Sequence, residues 1–165
     1  MGLRRKAREA ALQLLYQLEF KASDPEAAPR KFWAARRAPG AEREYADHLF
    51  RSVLGRQAEI DGLIQSVSKN WRVDRMPLVD RNVLRIAALE LVQEKTAPAV
   101  VINEAIEIAR KFSSAESAAF VNGILDALGR KIGLSAPAGH EKKNEQAKRQ
   151  TRSQKTGEGR RRKTP

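Results

Sequence analysis

One spacing runs through most of this chain: apolar residues recur every three or four positions, and nowhere do they alternate as a strand requires. In the first segment Ala7, Ala11, Leu14, Leu15 and Leu18 fall on one stripe, with Arg4, Arg5 and Arg8 in its first two turns. After a loop, Asp24-Pro25-Glu26 supplies a capping residue and a proline suited to a first helical position. This predicts a short helix through Phe32 and Trp33, ended by Ala38-Pro39-Gly40. From 41 to about 70, Tyr45, Leu49, Val53, Ile60, Leu63, Ile64 and Val67 keep the period with a slip near Gly55. One bent helix and two helices in tandem both fit. Met76-Pro77 breaks the chain. Three more helices are predicted: 78–94 on Val83, Ile86, Ala87 and Leu91; 99–112 on Val101, Ala105, Ile106, Ala109 and Phe112; and 114–131 on Phe120, Val121, Ile124, Leu125 and Leu128. The fold class is all-α, with no internal repeat.

Residues 136–165 contain no Leu, Ile, Val, Phe, Tyr, Trp or Met. Such a segment buries too little apolar surface to offset its ordering entropy, so a disordered basic tail is expected beyond a helical domain of residues 1–135. The tail carries ten Lys/Arg against three Glu, or +7 of the formal +12. The remaining +5 makes the helical part basic in its own right, a field that attracts polyanions and nucleic acid first among them. There is no cysteine, which excludes disulfides, thiolate metal sites and thiol nucleophiles. The basic-then-apolar start resembles a signal peptide, but Gln13, Gln17 and Glu19 interrupt it and no small-residue cleavage site follows. No apolar run approaches the roughly 20 residues needed to cross a bilayer. A soluble, cytoplasmic protein is expected.

Nothing in the chain assembles into an active site. His140 lies in the tail, and His48 stands beside Glu44 and Asp47 with no second ligand for a metal. The glycines are scattered, so no phosphate loop forms, and any pairing of carboxylates into acid and base would be arbitrary. A binding protein is favoured over an enzyme. Arg4, Arg5, Lys6 and Arg8 crowd a helix N-terminus, where the macrodipole is already positive and each cation costs about a few tenths of a kcal/mol. A docked phosphate backbone would compensate both; a solvated basic helix start is the plainer reading. Tyr16, two turns on from Arg8, suits either stacking on a base or covering the core edge. In Ser113-Ser114-Ala115-Glu116-Ser117, Ser113 and Glu116 have capping-box spacing, and the same polar groups would also face a ligand at that helix start. Asn122-Gly123 costs about 1 kcal/mol of helix propensity at the glycine, which suggests close approach of another backbone or a ligand, most simply a packed helix.

Four segments in order, RRKAREAALQLLYQLE at 4–19, VDRNVLRIAALEL at 79–91, APAVVINEAIEIARKF at 97–112 and FVNGILDAL at 120–128, resemble the NusB family of transcription antitermination factors. The resemblance covers about residues 3–133 and implies a compact fold of two small helical bundles, about six to seven helices in all. It implies binding of boxA-type single-stranded RNA together with NusE, a small-subunit ribosomal protein. It also implies entry into the RNA polymerase antitermination complex during ribosomal RNA transcription. It brings no cofactor, metal or catalytic residue. The family's arginine-rich RNA-contacting start matches Arg4, Arg5, Lys6 and Arg8, and the tyrosine closing that motif is Tyr16. A second RNA-contacting region matches Glu116, Ser117 and Phe120, and an acidic residue on the NusE-facing surface matches Asp80. Leu89 stands where the family usually has an aromatic, and Ala119 where it usually has a basic residue. NusB-like domains also precede some ribosomal RNA cytosine methyltransferases, but that reading needs a glycine-loop domain and catalytic cysteines. A NusB-like RNA-binding or protein-interaction module without an antitermination role is the remaining alternative.

Overall fold

The structure, a computed structural model, describes residues 2–134. The expected disordered tail and the domain boundary at 135/136 therefore lie outside the described residues. Seven α-helices and one 3₁₀ turn, with no strand among these residues, run in the order α1 (Leu3–Lys21), α2 (Ala28–Ala34), α3 (Gly40–Gly55), α4 (Gln57–Val67), the 3₁₀ turn Val73–Arg75, α5 (Leu78–Gln93), α6 (Pro98–Phe112) and α7 (Ala115–Lys131).

The slip at Gly55 resolves into two helices. Arg56 sits at φ −122°, ψ 21°; its N–H closes α3 on the Ser52 carbonyl, and its own carbonyl accepts from Ile60 at the start of α4. The start of α2 differs from expectation. Asp24 instead accepts from the Glu26 N–H at 3.1 Å in a local turn, and the helix opens at Ala28 with Pro29 in its first turn. A short aspartate next to proline closes a turn as readily as it caps a helix, and Pro29 also fits a first helical turn.

Helices α1, α2 and α3 pack together, α4, α6 and α7 form the other group, and α5 packs against α1, α3, α4, α6 and α7. That position explains why α5 is buried on all sides, with the whole run from Asn82 to Leu91 below solvent reach. Leu89 lies there fully buried, so its departure from the family pattern is a core substitution. Phe50, Leu49, Leu84, Leu125 and Leu128 complete the interior; truncating a leucine here to alanine costs about 2–5 kcal/mol.

A helix that buries Asp80, Asn82, Arg85 and Glu90 must satisfy most of their polar atoms internally. Arg85 makes a two-point pair with Asp61 at 2.7 and 2.8 Å and also donates to Glu19 and Asn82. Asn82 donates back to the Leu78 carbonyl at 2.9 Å. At the other end Glu90 receives Arg8. Since Glu19 meets Arg81 and Arg85 while Arg8 meets Glu90, α1 lies antiparallel along α5 and is tied to it at both ends.

Candidate nucleic-acid interface

The first turn of α1 has neither an acidic residue nor a side-chain cap, so its N–H groups and its cations present one positive end. The four cations there are not equivalent. Arg8 is 4% exposed and grips Glu90, itself 3% exposed, through Nε at 2.8 Å and Nη2 at 2.9 Å. Burial works against the Arg8 charge, but the hydrogen bonds and charge of Glu90 outweigh it and raise its pKa. The Tyr45 hydroxyl donates to the same Glu90 Oε1. Burial first, then Glu90, pushes that phenol above its ordinary value, which keeps it protonated and donating. Arg5 pairs with Glu104 through Nε at 2.6 Å and Nη2 at 2.9 Å, which leaves Nη1 available to an anion. Arg4 is exposed and lies 4.3 Å above the Tyr45 ring, a cation–π contact, and Lys6 is exposed.

Arg4 stands between two clefts. One, of about 420 Å³, includes Arg5, Val100 and Glu104; the other, of about 300 Å³, includes Tyr45, His48 and Gln93. Lys95 and Thr96 line both. Lys95 thus adds a cation at the α1 start that no sequence pattern signalled, because it belongs to the α5–α6 connection. His48 is exposed and stacks loosely on Tyr45, 6.5 Å between centroids.

Asp80, Glu116, Ser117 and Phe120 gather at the opposite end of α5, while Tyr16 lies toward that end on α1 without touching them. Ser114, in an extended conformation, caps α7 by accepting from the Ser117 N–H at 3.1 Å. The capping role therefore falls on Ser114 and Ser117, one residue later than the Ser113–Glu116 spacing suggested; Glu116 points to solvent. Ser117 donates its hydroxyl to Asp80 Oδ2 at 3.1 Å and lies 2.7 Å from the Ser113 hydroxyl. Asp80 is only 4% exposed, so it meets Ser117 rather than the outer surface, and its Oδ1 is buried without a hydrogen-bond partner. Phe120, half-buried, meets the exposed Trp71 edge to face, centroids 6.4 Å apart. Tyr16 stacks on Phe20 at 5.8 Å and 9°, both rings exposed. Twelve residues of helix separate Tyr16 from Arg4, about 18 Å. The matched set thus forms a cationic end and an aromatic and hydroxyl end, held apart by α1 and α5. Ala119 is exposed beside the second group, and Gly123 faces open space, so close backbone approach is not its explanation within the chain.

Among the described residues no group of His, Cys, Asp and Glu could hold a metal, and no helix is long and apolar enough to cross a membrane. The family model described as "NusB family" matches residues 5–130. The transcription antitermination protein NusB of Koribacter versatilis is 45% identical over 133 residues, spanning 79% of this chain and 91% of that protein. Among solved structures, T. maritima NusB is 35% identical with a TM-score of 0.70, over 78% of this chain and 91% of that one. A complex of the antitermination factors NusB and NusE with double-stranded RNA contains a chain 28% identical, TM-score 0.69, over 79% of this chain and 98% of that one. The all-helical order, the cationic start of α1 and these likenesses over nearly the whole described chain lead to one conclusion: this chain belongs to the NusB family.

Proposed function

We propose that this protein is a cytoplasmic, non-catalytic transcription antitermination factor. It binds boxA-type RNA together with NusE and joins the RNA polymerase antitermination complex during ribosomal RNA transcription. The observation that carries this reading is family membership across the described chain, with relatives named as antitermination proteins and one solved with NusE and RNA. The cationic helix start supports it, since a phosphate there offsets both the helix dipole and the crowding of Arg4, Arg5 and Lys6.

Within the RNA-binding set, Arg4 and Lys6 contact phosphates directly, and Arg5 does so through Nη1. Arg8 acts by holding Glu90 and Tyr45, on which Arg4 rests. Tyr16, Glu116, Ser117 and Phe120 face the bases. Asp80, the residue matched to the NusE-facing surface, is buried and acts there indirectly, by anchoring the start of α7 to α5 through Ser117.

The test is binding of a boxA-like strand and a scrambled strand at two salt concentrations, with and without NusE. NusE is expected to sharpen the preference for boxA. Replacing Arg4 and Lys6 with alanine is expected to shallow the log–log salt dependence by about 0.7 for each phosphate no longer neutralised. Equal binding of both strands under every condition would leave only a nonspecific RNA-binding module. An unchanged slope would remove these two residues from the interface.

A further inference from the structure

We propose that Trp71 is a stacking platform for one unpaired RNA base, extending the RNA surface from Phe120 onto the connection between α4 and α5. This rests on the RNA-binding reading above and names a contact that reading does not contain. Trp71 is 63% exposed, whereas the other tryptophan, Trp33, is buried and donates its indole N–H to Asp47 at 2.8 Å. An indole left in water is unfavourable apolar surface, and here it is not the accident of a loose loop.

The backbone beneath it is clamped. Ser68, 2% exposed, donates its hydroxyl to the Trp71 carbonyl at 2.8 Å. Gln65 donates to the same carbonyl at 3.1 Å and to the Ser68 carbonyl at 2.9 Å, and accepts from the Val73 N–H at 3.0 Å. Val73 and Met76 anchor the following turn in the core. The Trp71 carbonyl is thus held by the protein while its side chain is displayed outward, steadied by the edge-to-face contact with Phe120. That contact leaves indole surface open. A fixed, exposed aromatic beside a cation is how single-strand binders take a base, because stacking needs a free base face and the phosphate needs a charge. Lys69, exposed and in no ion pair among the described residues, supplies the charge two positions away. A paired A-form duplex offers no such face along its length, so the site selects unpaired RNA.

The experiment follows Trp71 emission as the difference between the parent and Trp71→Phe, with Trp33 as constant background. A boxA-like single strand and the same strand annealed to its complement are titrated with and without NusE, and anisotropy of labelled RNA reports binding independently. The single strand is expected to quench Trp71 saturably, with the midpoint that anisotropy gives. Trp71→Ala is expected to weaken single-strand binding about tenfold and Trp71→Phe to recover most of it. Neither changes the salt slope, because stacking releases no counterion. The exposure of Trp71 means the thermal midpoint of Trp71→Ala should match the parent. Binding by anisotropy with unchanged Trp71 emission and unchanged Trp71→Ala affinity would overturn this proposal and leave the RNA-binding reading intact. Equal quenching by the duplex would overturn the selection of unpaired bases. Binding of no strand under any condition would remove the RNA-binding reading, and this proposal with it.

Discussion

Arg8 is the residue on which a basic-patch reading and the structure diverge most, and its replacement distinguishes them. As a phosphate ligand it would be removed at little cost to folding. In the structure Arg8 and Glu90 are 4% and 3% exposed and joined at two points, so Arg8→Ala leaves a buried carboxylate with only the Tyr45 hydroxyl. Breaking a buried pair from one side costs about 3–5 kcal/mol. For a folded region of about 130 residues, unfolding entropy of about 2.1 cal/mol/K per residue converts that to a fall of roughly 11–18 °C in Tm. Removing the whole group should behave differently. Arg8→Met with Glu90→Leu and Tyr45→Phe leaves no orphaned polar atom among the three, and is expected within about 1 kcal/mol of the parent or above it. The assay is urea unfolding followed by far-ultraviolet circular dichroism, with RNA titrations at two salt concentrations on the same proteins. A cost below about 1 kcal/mol for Arg8→Ala, with a salt slope shallower by about 0.7, would overturn the buried-pair account and make Arg8 a direct phosphate ligand.

Gly123→Ala, in open space on α7, should stabilise the protein by about 1 kcal/mol in thermal or urea unfolding. If it also abolished NusE or RNA binding, the glycine would be serving the close approach of a partner. Ser114→Ala removes the cap of α7 and should cost about 1 kcal/mol, measured the same way, while Glu116→Ala, exposed and making no cap, should cost almost nothing. The hydrogen bonds from Arg5, against an opposing effect of burial, hold the Glu104 carboxyl below its ordinary range. A folded pKa below the unfolded one contributes stability above the ordinary value of about 4.3, lost as pH falls through the folded value. The stability difference between the parent and Glu104→Gln, under about 1 kcal/mol at pH 7 for a partly solvated pair, should therefore shrink toward pH 3; a constant difference would show that the pair is not formed.

Helix positions were legible because burial on one face writes its period into the chain: the stripes of α1, α5, α6 and α7 lie where spacing put them. Fine boundaries were less so. Ser113-x-x-Glu116 and Ser114-x-x-Ser117 overlap, and only the extended backbone of Ser114 decides between them. The buried charges pass for solvated ones in a reading by residue type, although a signal is present. Arg8 precedes the buried Ala11, Leu12 and Leu15 by three, four and seven positions, which places it inside the apolar arc of α1. Glu90 follows Ile86 and Ala87, and Asp80 precedes Val83 and Leu84, with the same meaning on α5. Trp71 and Lys95 carry no such signal, since connections have no period and exposure there is a tertiary outcome.

The two ends of the surface have different chemistry, and that difference bears on how recognition is divided. Phosphate contacts give affinity and salt dependence without reading sequence, whereas unpaired bases are read by stacking and hydrogen bonds. Arg4, Lys6 and Lys95 cluster at the α1 start; the exposed rings of Tyr16, Phe20 and Trp71 and the Ser117 hydroxyl, together with the cation Lys69, lie toward the opposite end of α5. The pairs Arg8–Glu90 and Arg81–Glu19 tie α1 to α5 at each extremity and so fix the spacing between the ends. On the proposed reading a strand engaging both ends lies along this frame, and loosening one tie would misalign the ends without touching either set of side chains. The two ends should then be told apart by salt. Loss of Arg4 and Lys6 lowers affinity with a shallower salt dependence, whereas loss of Trp71 or Phe120 lowers single-strand affinity with the salt slope unchanged. Arg8→Ala weakens binding through both ends, although its side chain need touch no RNA at all.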